Sequence, residues 1–430
     1  MMLRNELSFF VLVMLIGSWC HGKKSSVVLS KNKDQRTDAV TRALYPYLKQ
    51  RGGLGFPGET PYRLKSLAWH PTEDVFAIAG GPRSSAAELS LYEVFGSADG
   101  ARMESRSSVT VGDSYAINTV AWHPSGAYLT VGATDANPES LKQLRVYAYA
   151  DKKLGAVPFI SLQWGGEGAS IQSVAWHPTG RFLAVGGSSS TLEYNVIVYA
   201  FDAATPALVG LYGIKLGPSA TTQALTWDAT GKYLAIGCSG EATGKAALQI
   251  YQFKSDIPYA FTQKSVVDFG GAAASVKALV WSPSGSYLAV GGYAGLKGIN
   301  ELALYSAPEG ALTALSSAVI DFGEKAPDAR INTLSWDPQE EYLLVGGYNF
   351  PPDGAQAYFT YQAAMYIFKD NVFTPKVGTR VTYSKEDDAY VSAMAWSPSR
   401  RYVLIGGHKP KNDKELWLTE FVTHKDGIKN

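Results

Sequence analysis

The sequence predicts an all-β chain: a seven-bladed β-propeller of four-stranded antiparallel blades, its ring closed by pairing of N- and C-terminal segments. Three observations predict it. A seventeen-residue phrase recurs at 64–80, 117–133, 171–187, 222–238, 276–292, 331–347 and 391–407. Its tryptophans, Trp69, Trp122, Trp176, Trp227, Trp281, Trp336 and Trp396, are spaced by 53, 54, 51, 54, 55 and 60 residues, the mark of a repeat architecture. Charged residues make up only 18 %, while Gly (43) and Tyr (25) are plentiful, a balance that favours strands and tight turns over helices.

Each unit has one internal grammar. Six residues ending in Trp read as a first strand, a His-Pro-Thr-Gly-type tetrapeptide as a turn, and a Tyr-Leu-Ala-Val-Gly-Gly-type stretch as a second strand. Third strands follow, as at 144–150, 195–201 and 247–253, and then fourth strands such as PFISLQW, KSVVDFG and SSAVIDFG. Four strands make one antiparallel blade, and seven blades in a ring remove most exposed sheet edges. Within the first strand, the third position is always Ser, Thr or Ala and the fifth is small in nearly every copy, as converging innermost strands require. The sixth is always Trp, the large apolar contact between neighbours. The second position is polar throughout: Lys65, Asn118, Gln172, Gln223, Lys277, Asn332 and Ser392, which a propeller would place around one mouth of its channel. After Trp396 only three strands can be read, the last at 415–422. The missing outer strand is therefore expected from the N-terminal side, at 25–30 or 43–48.

The N-terminus is read separately. Arg4 precedes an apolar run from Leu7 to Trp19, too short to span a bilayer and typical of a signal-peptide core. The expected organisation is a signal peptide at 1–22, a basic extension at 23–60 that includes part of the closing strand, the propeller at 61–424 and a tail at 425–430. The expected location is outside the cytoplasm, periplasmic or extracellular. Loss of Cys20 with the signal would leave Cys238 alone, so no intrachain disulfide and no cysteine metal site are expected.

The phrase Trp–His/Ser–Pro–Ser/Thr–Gly, then an aromatic and Leu–Ala–Val–Gly–Gly, then a third strand ending in VYxY or IYxF, resembles the WD-repeat family. The resemblance runs from 64 to about 422. It departs from the family pattern in two places. The Gly-His pair that usually opens a repeat is absent, and the closing Trp-Asp is replaced by Tyr-Ala, Tyr-Gln or Tyr-Ser. The family's His–Ser–Asp–Trp hydrogen-bond network is therefore not carried over. What the resemblance implies is a scaffold for protein partners.

No enzyme motif stands out. His70, His123 and His177 share one column, but later copies carry Asp228, Ser282, Asp337 and Ser397 there. All three residue types can hydrogen-bond a turn amide, so the column reads as a turn cap and not as a metal site. The stretch 240–245 is one residue short of a phosphate loop, with Ala246 where a hydroxyl is needed. The Gly-Gly pairs read as turn glycines ending strands, and the carboxylates of 384–390 as a solvated loop. No catalytic residue, cofactor or metal is expected.

Two binding features remain. The blade-six loop carries Tyr348, Phe350, Tyr358, Phe359 and Tyr361, rigid aromatics of the kind that anchor interfaces. Residues 23–58 carry a net charge of +6, leaving −5 for 59–430 of the overall +1. Such an arm offers contact with the propeller itself or with an anionic membrane surface, whereas no basic ring suggests nucleic acid. The functional expectation is a non-enzymatic, monomeric interaction platform for protein partners. The alternatives are an enzyme or small-ligand binder using the channel mouth, and an envelope accessory propeller of the TolB type.

Overall fold

The computed structural model describes residues 47–422 except 55–62, 82–87, 97–99, 112–114, 136–141, 190, 218–219, 240–246, 270–273, 294–300, 321, 323–328, 349–360, 375–379, 384–388 and 409–413. All of these lie in one compact unit, Pro46–Asn430. No α-helix occurs among the described residues.

Seven strands ending in Trp form the inner ring: Arg63–Trp69, Tyr115–Trp122, Ser170–Trp176, Thr221–Trp227, Ser275–Trp281, Arg330–Trp336 and Tyr390–Trp396. Each packs against the next and the seventh against the first, so the ring is closed. We number the blades 1 to 7 by these strands. In each blade the chain turns back after Trp into a second strand, then a third and an outer one, antiparallel throughout. The outer strand is split in blade 2 (Lys153–Leu154 and Ile160–Leu162) and in blade 6 (Val372–Thr374 and Arg380–Val381).

Blade 7 takes its outer strand from the start of the chain. Tyr47–Leu54 pairs antiparallel with Leu416–Val422, Tyr47 opposite Val422 and Leu54 opposite Leu416. This overlaps the second expected segment only at Tyr47 and Leu48. Its charged side chains and Gly52–Gly53 break the alternation that marks a strand. An ion pair compensates: Arg51 donates through Nε to Glu420 at 2.7 Å, a carboxylate also met by Arg401 at 3.6 Å.

Second strands such as Phe182–Ser188 are buried along nearly their whole length, because a blade on each side covers both faces. They are accordingly apolar without alternation. The cores lie between blades: Leu64 and Trp69 of blade 1 pack with Ala393, Leu404 and Leu418 of blade 7.

The Gly-Gly pairs are not turn glycines; they sit inside the second strands. A Cβ on Gly186 would lie 2.6 Å from the Thr222 side chain of blade 4, and one on Gly187 would lie 1.9 Å from the Ser170 carbonyl of its own blade. The first glycine admits the neighbouring blade. The second faces an irregularity that recurs in every blade.

That irregularity is a β-bulge. Pairing of the first strand with the second skips one residue between Leu64 and Ser66, Ile117 and Thr119, Ile171 and Ser173, Thr222 and Ala224, Val276 and Ala278, Ile331 and Thr333, and Val391 and Ala393. The skipped residue is each time the polar second position. A bulged residue has no partner opposite it and its side chain is re-aimed. The polar column is thus a backbone feature as well as a sequence feature.

Candidate functional site

The two ends of the inner ring differ in kind. At one end lie the turns that follow Trp; at the other lie the bulges.

At the turn end, His70, His123 and His177 each use both ring nitrogens. Nδ1 of His177 takes the Thr179 hydroxyl at 2.8 Å and the Thr179 amide at 3.2 Å, capping its own turn. Its Nε2 donates to the Gly231 carbonyl of blade 4 at 3.0 Å. His123 reaches Gly180 of blade 3 in the same way at 3.0 Å, and His70 reaches Gly126 of blade 2 at 3.2 Å. The receiving glycines have φ of 76°, 72° and 74°, a region L side chains rarely adopt. Burial holds all three imidazoles below their ordinary pKa, offset in part by the carbonyls they meet. The turn-cap reading describes the Nδ1 half of this arrangement. The Nε2 half, a clamp onto the next blade, is invisible in sequence because its partner is a backbone carbonyl over fifty residues away.

In later blades the same position caps its own turn and makes no bond to the next blade's turn carbonyl. Asp228 accepts the Tyr233 amide at 2.6 Å, Ser282 the Tyr287 amide at 3.2 Å and Ser397 the Tyr402 amide at 2.9 Å. Asp337 accepts amides of Gln339, Glu341 and Tyr342, yet burial pushes its carboxyl above the usual range. Two charged residues take over the bridging, Glu340 and Arg400, with φ of 61° and 60° where blades 2 to 5 have glycine. Glu340 accepts the Ser284 amide of blade 5 at 2.9 Å, and Arg400 ion-pairs with Asp337 of blade 6 at 2.7 Å. The break in the glycine column was the available signal for both.

The tryptophans form a second set of joints. Trp122 donates to the Ala68 carbonyl of blade 1 at 3.1 Å, Trp227 to Ala175 of blade 3 at 3.2 Å and Trp69 to Ala395 of blade 7 at 3.1 Å. Trp176 donates to the Thr130 hydroxyl at 3.0 Å. The indole N–H groups of Trp281, Trp336 and Trp396 have no partner among the described residues.

At the bulge end, four of the seven polar residues, Lys65, Asn118, Asn332 and Ser392, reach a neighbouring blade. Lys65 donates to Asn118 Oδ1 at 2.7 Å, and Asn118 Nδ2 reaches Thr134 and Ser170 hydroxyls and the Ile171 carbonyl of blade 3 at 3.0–3.1 Å. Gln172 donates to Ser170 at 2.7 Å, and Gln223 to Ser239 at 3.1 Å. Asn332 donates to the Val391 carbonyl of blade 7 at 3.0 Å, and Ser392 to the Leu64 carbonyl of blade 1. Lys277 makes no hydrogen bond or ion pair among the described residues. Burial, then the nearby Arg330, lowers its pKa; burial, then Arg63, does the same at Lys65.

The aromatic residues of blade 6 divide. Phe350, Tyr358 and Phe359 lie outside the described residues. Tyr348 is half-buried at the end of Tyr342–Tyr348. Tyr361 is a core residue and not a loop anchor: it is 3 % exposed, donates to the Phe322 carbonyl at 3.0 Å and has the Arg380 guanidinium 4.5 Å from its ring. Position just before a third strand put it inside, which composition could not reveal.

The model described as "WD domain, G-beta repeat" matches residues 106–137, 161–193 and 263–295. Each match runs from the outer strand of one blade into the first two strands of the next, so the sequence repeat is out of phase with the blade. Among solved structures, a chain of the "Crystal Structure of Mitotic Checkpoint Complex" is 17 % identical, with a TM-score of 0.56, over 94 % of this chain and 99 % of that one. The β-propeller domain of Cps50 (Swd1) from Myceliophteria thermophila is 14 % identical, with a TM-score of 0.57, over 88 % and 100 %. No curated protein matches.

These matches support a WD-repeat propeller.

Within the propeller, the His–Trp joints hold neighbouring blades together. At these identities the likeness to solved chains carries the fold and not a function.

Proposed function

We propose that the chain is a non-enzymatic platform for protein partners, acting outside the cytoplasm. WD-repeat propellers commonly serve as interaction scaffolds and are typically not enzymes. One observation favours that reading here: the residues that looked chemically capable are taken up by the fold. Each repeat histidine holds its own turn and the next blade, and the tryptophan and Asp/Ser columns are likewise structural. What differs between copies is found at the opposite end, at the bulged positions, and in sequence in the segments after Gly-Gly. A fixed frame with variable residues at one end suits display better than catalysis. The apolar run at 7–19 supports export.

The test is affinity capture from envelope and extracellular fractions, comparing the full chain with one whose 349–360 segment is shortened. Partner recovery that depends on this segment supports the platform. Recovery of none, by either chain, removes the reading. Mass measurement of the mature chain checks export, with cleavage after Gly22 as the expected result.

A further inference from the structure

The seven innermost strands contain four cationic residues and no Asp or Glu: Arg63 and Lys65 in blade 1, Lys277 in blade 5, Arg330 in blade 6. All four fall within the first three positions of their strands, so all lie at the bulge end. The propeller sequence as a whole is acidic, at −5 over residues 59–430. The clustering is therefore a local reversal of sign. Arg63, Lys277 and Arg330 form no ion pair among the described residues, and Lys65 meets only the neutral Asn118. Among the described residues, the second strands end at this side in a single acidic residue, Asp135, whose backbone pairs in register with Tyr115 one strand further from the axis.

Two arrangements are open to such charges. Cations converging on one point suit a compact anion. Here Arg63 and Lys65 stand in blade 1, whereas Lys277 and Arg330 stand in blades 5 and 6, with blade 7 between on one side and blades 2 to 4 on the other. Between them lie amides and hydroxyls: Asn118, Gln172, Gln223, Asn332 and Ser392. Two separated cationic pairs joined by hydrogen-bonding groups suit an extended ligand carrying carboxylates at intervals. We infer that the channel mouth binds an acidic segment of a protein partner, one carboxylate near Arg63 and Lys65 and another near Lys277 and Arg330. This deepens the platform reading and rests on it. The depressed lysine pKa values agree with it, since each ammonium stands beside an arginine with no carboxylate among the causes of its shift. Low-dielectric walls of one charge sign also focus the field and speed encounter with an acidic chain.

The experiment uses the full chain and a fluorescently labelled oligo-glutamate peptide, read by anisotropy at low and at near-physiological salt. Binding is expected, weakening as salt rises. Lys65→Gln with Lys277→Gln is expected to weaken it by about tenfold. Lys65→Arg with Lys277→Arg retains it, and so does Arg102→Gln on the outer strand of blade 1. Thermal melting of each variant separates lost charge from lost fold. Unchanged affinity in the folded Gln pair, equal binding of oligo-lysine, or displacement by inorganic phosphate at matched charge overturns the inference; the last result would mark a compact-anion site. The two readings fail separately. A partner captured equally by wild type and the Gln pair overturns the mouth inference and leaves the platform. Charge-dependent peptide binding with no partner captured leaves the mouth and removes the platform.

Discussion

Blades 1 to 4 and blades 5 to 7 share one repeat but are joined differently. In the first arc each joint carries a histidine bond to the next turn and a tryptophan bond to the preceding blade. In the second arc Asp and Ser cap their own turns and do not reach the next blade's turn carbonyl, and the buried N–H groups of Trp281, Trp336 and Trp396 have no partner among the described residues. Charged side chains substitute at two joints, through Glu340 and Arg400. The joint between blades 4 and 5 has neither device among the described residues. It relies on apolar contacts around Trp281, Val276 and Leu288, on one backbone bridge, Ser239 to Ser275, and on Ser265 of the blade 4 outer strand, whose hydroxyl donates to the Gly310 carbonyl at 3.0 Å and accepts the Leu312 amide at 3.2 Å. The lesson is that a propeller needs close-packed neighbours everywhere but polar stitching only in part.

The comparison breaks most easily at the turns. His177→Ala removes a buried ring, its turn cap and its clamp on Gly231, and is expected to cost about 3 kcal/mol. Ser282→Ala, at the same position in blade 5, removes only a cap and costs about 1 kcal/mol. Chemical denaturation of the two variants measures both. Equal losses would show that the Nε2 bond adds nothing and that the two arcs are equivalent.

Acid offers a second way to separate the arcs. The three imidazoles have folded pKa values below the ordinary 6.5, chiefly through burial. Below pH 6.5 the unfolded chain takes up protons that the folded chain resists. Stability is therefore full above 6.5 and falls as pH drops towards the folded values, by at most about 1.4 kcal/mol per pH unit per histidine. Asp337 has the opposite sign: burial raises its carboxyl, which favours the folded state as pH falls into the carboxylate range. Replacing His70, His123 and His177 together by Gln is expected to lower the melting midpoint at pH 7.5 and flatten its decline towards pH 5.5. A decline as steep as wild type would place the acid sensitivity elsewhere.

The difference between the arcs was half legible in the sequence. The Trp column, the small third position and the mostly small fifth announce blades packed at an axis, because those constraints are local and repeat. The His, Asp and Ser alternation announced a turn cap for the same reason. The Nε2 clamp, the bulge and the Gly-Gly contacts depend on backbone atoms of another strand, and no residue type encodes those. Beyond Leu48 the closing strand Tyr47–Leu54 is not legible, because Lys49, Arg51 and two glycines blur its pattern, although its pairing with Leu416–Val422 closes the ring. At the candidate site the seven polar residues were legible as a column. Their linkage, from Lys65 through Asn118 to Ser170 and Gln172, was not, since it crosses three blades.

A finer test concerns the indole N–H groups. Trp122→Phe deletes a bond to Ala68 and is expected to cost about 1 kcal/mol beyond the loss of ring area. Trp336→Phe deletes an N–H that has no partner among the described residues, so that extra loss is absent and relief of an unsatisfied donor offsets part of the area term.

The smallest effect asks why the arcs differ at all. The three tryptophans bonded to the fifth-position carbonyl of the preceding blade all meet alanine there: Ala68, Ala175 and Ala395. Trp281, Trp336 and Trp396 follow Thr226, Val280 and Ser335 instead. If the larger side chain holds the indole away, Val280→Ala should let Trp336 reach the carbonyl. The gained bond would then offset most of the lost methyl packing, leaving stability within about 0.5 kcal/mol of wild type. The decisive measurement is the double-mutant cycle with Trp336→Phe. In the Val280→Ala background that change should acquire the added penalty of about 1 kcal/mol seen at Trp122, giving a coupling of that size. Zero coupling would mean that the spacing between blades 5 and 6, and not the side chain at 280, keeps the donor unpaired.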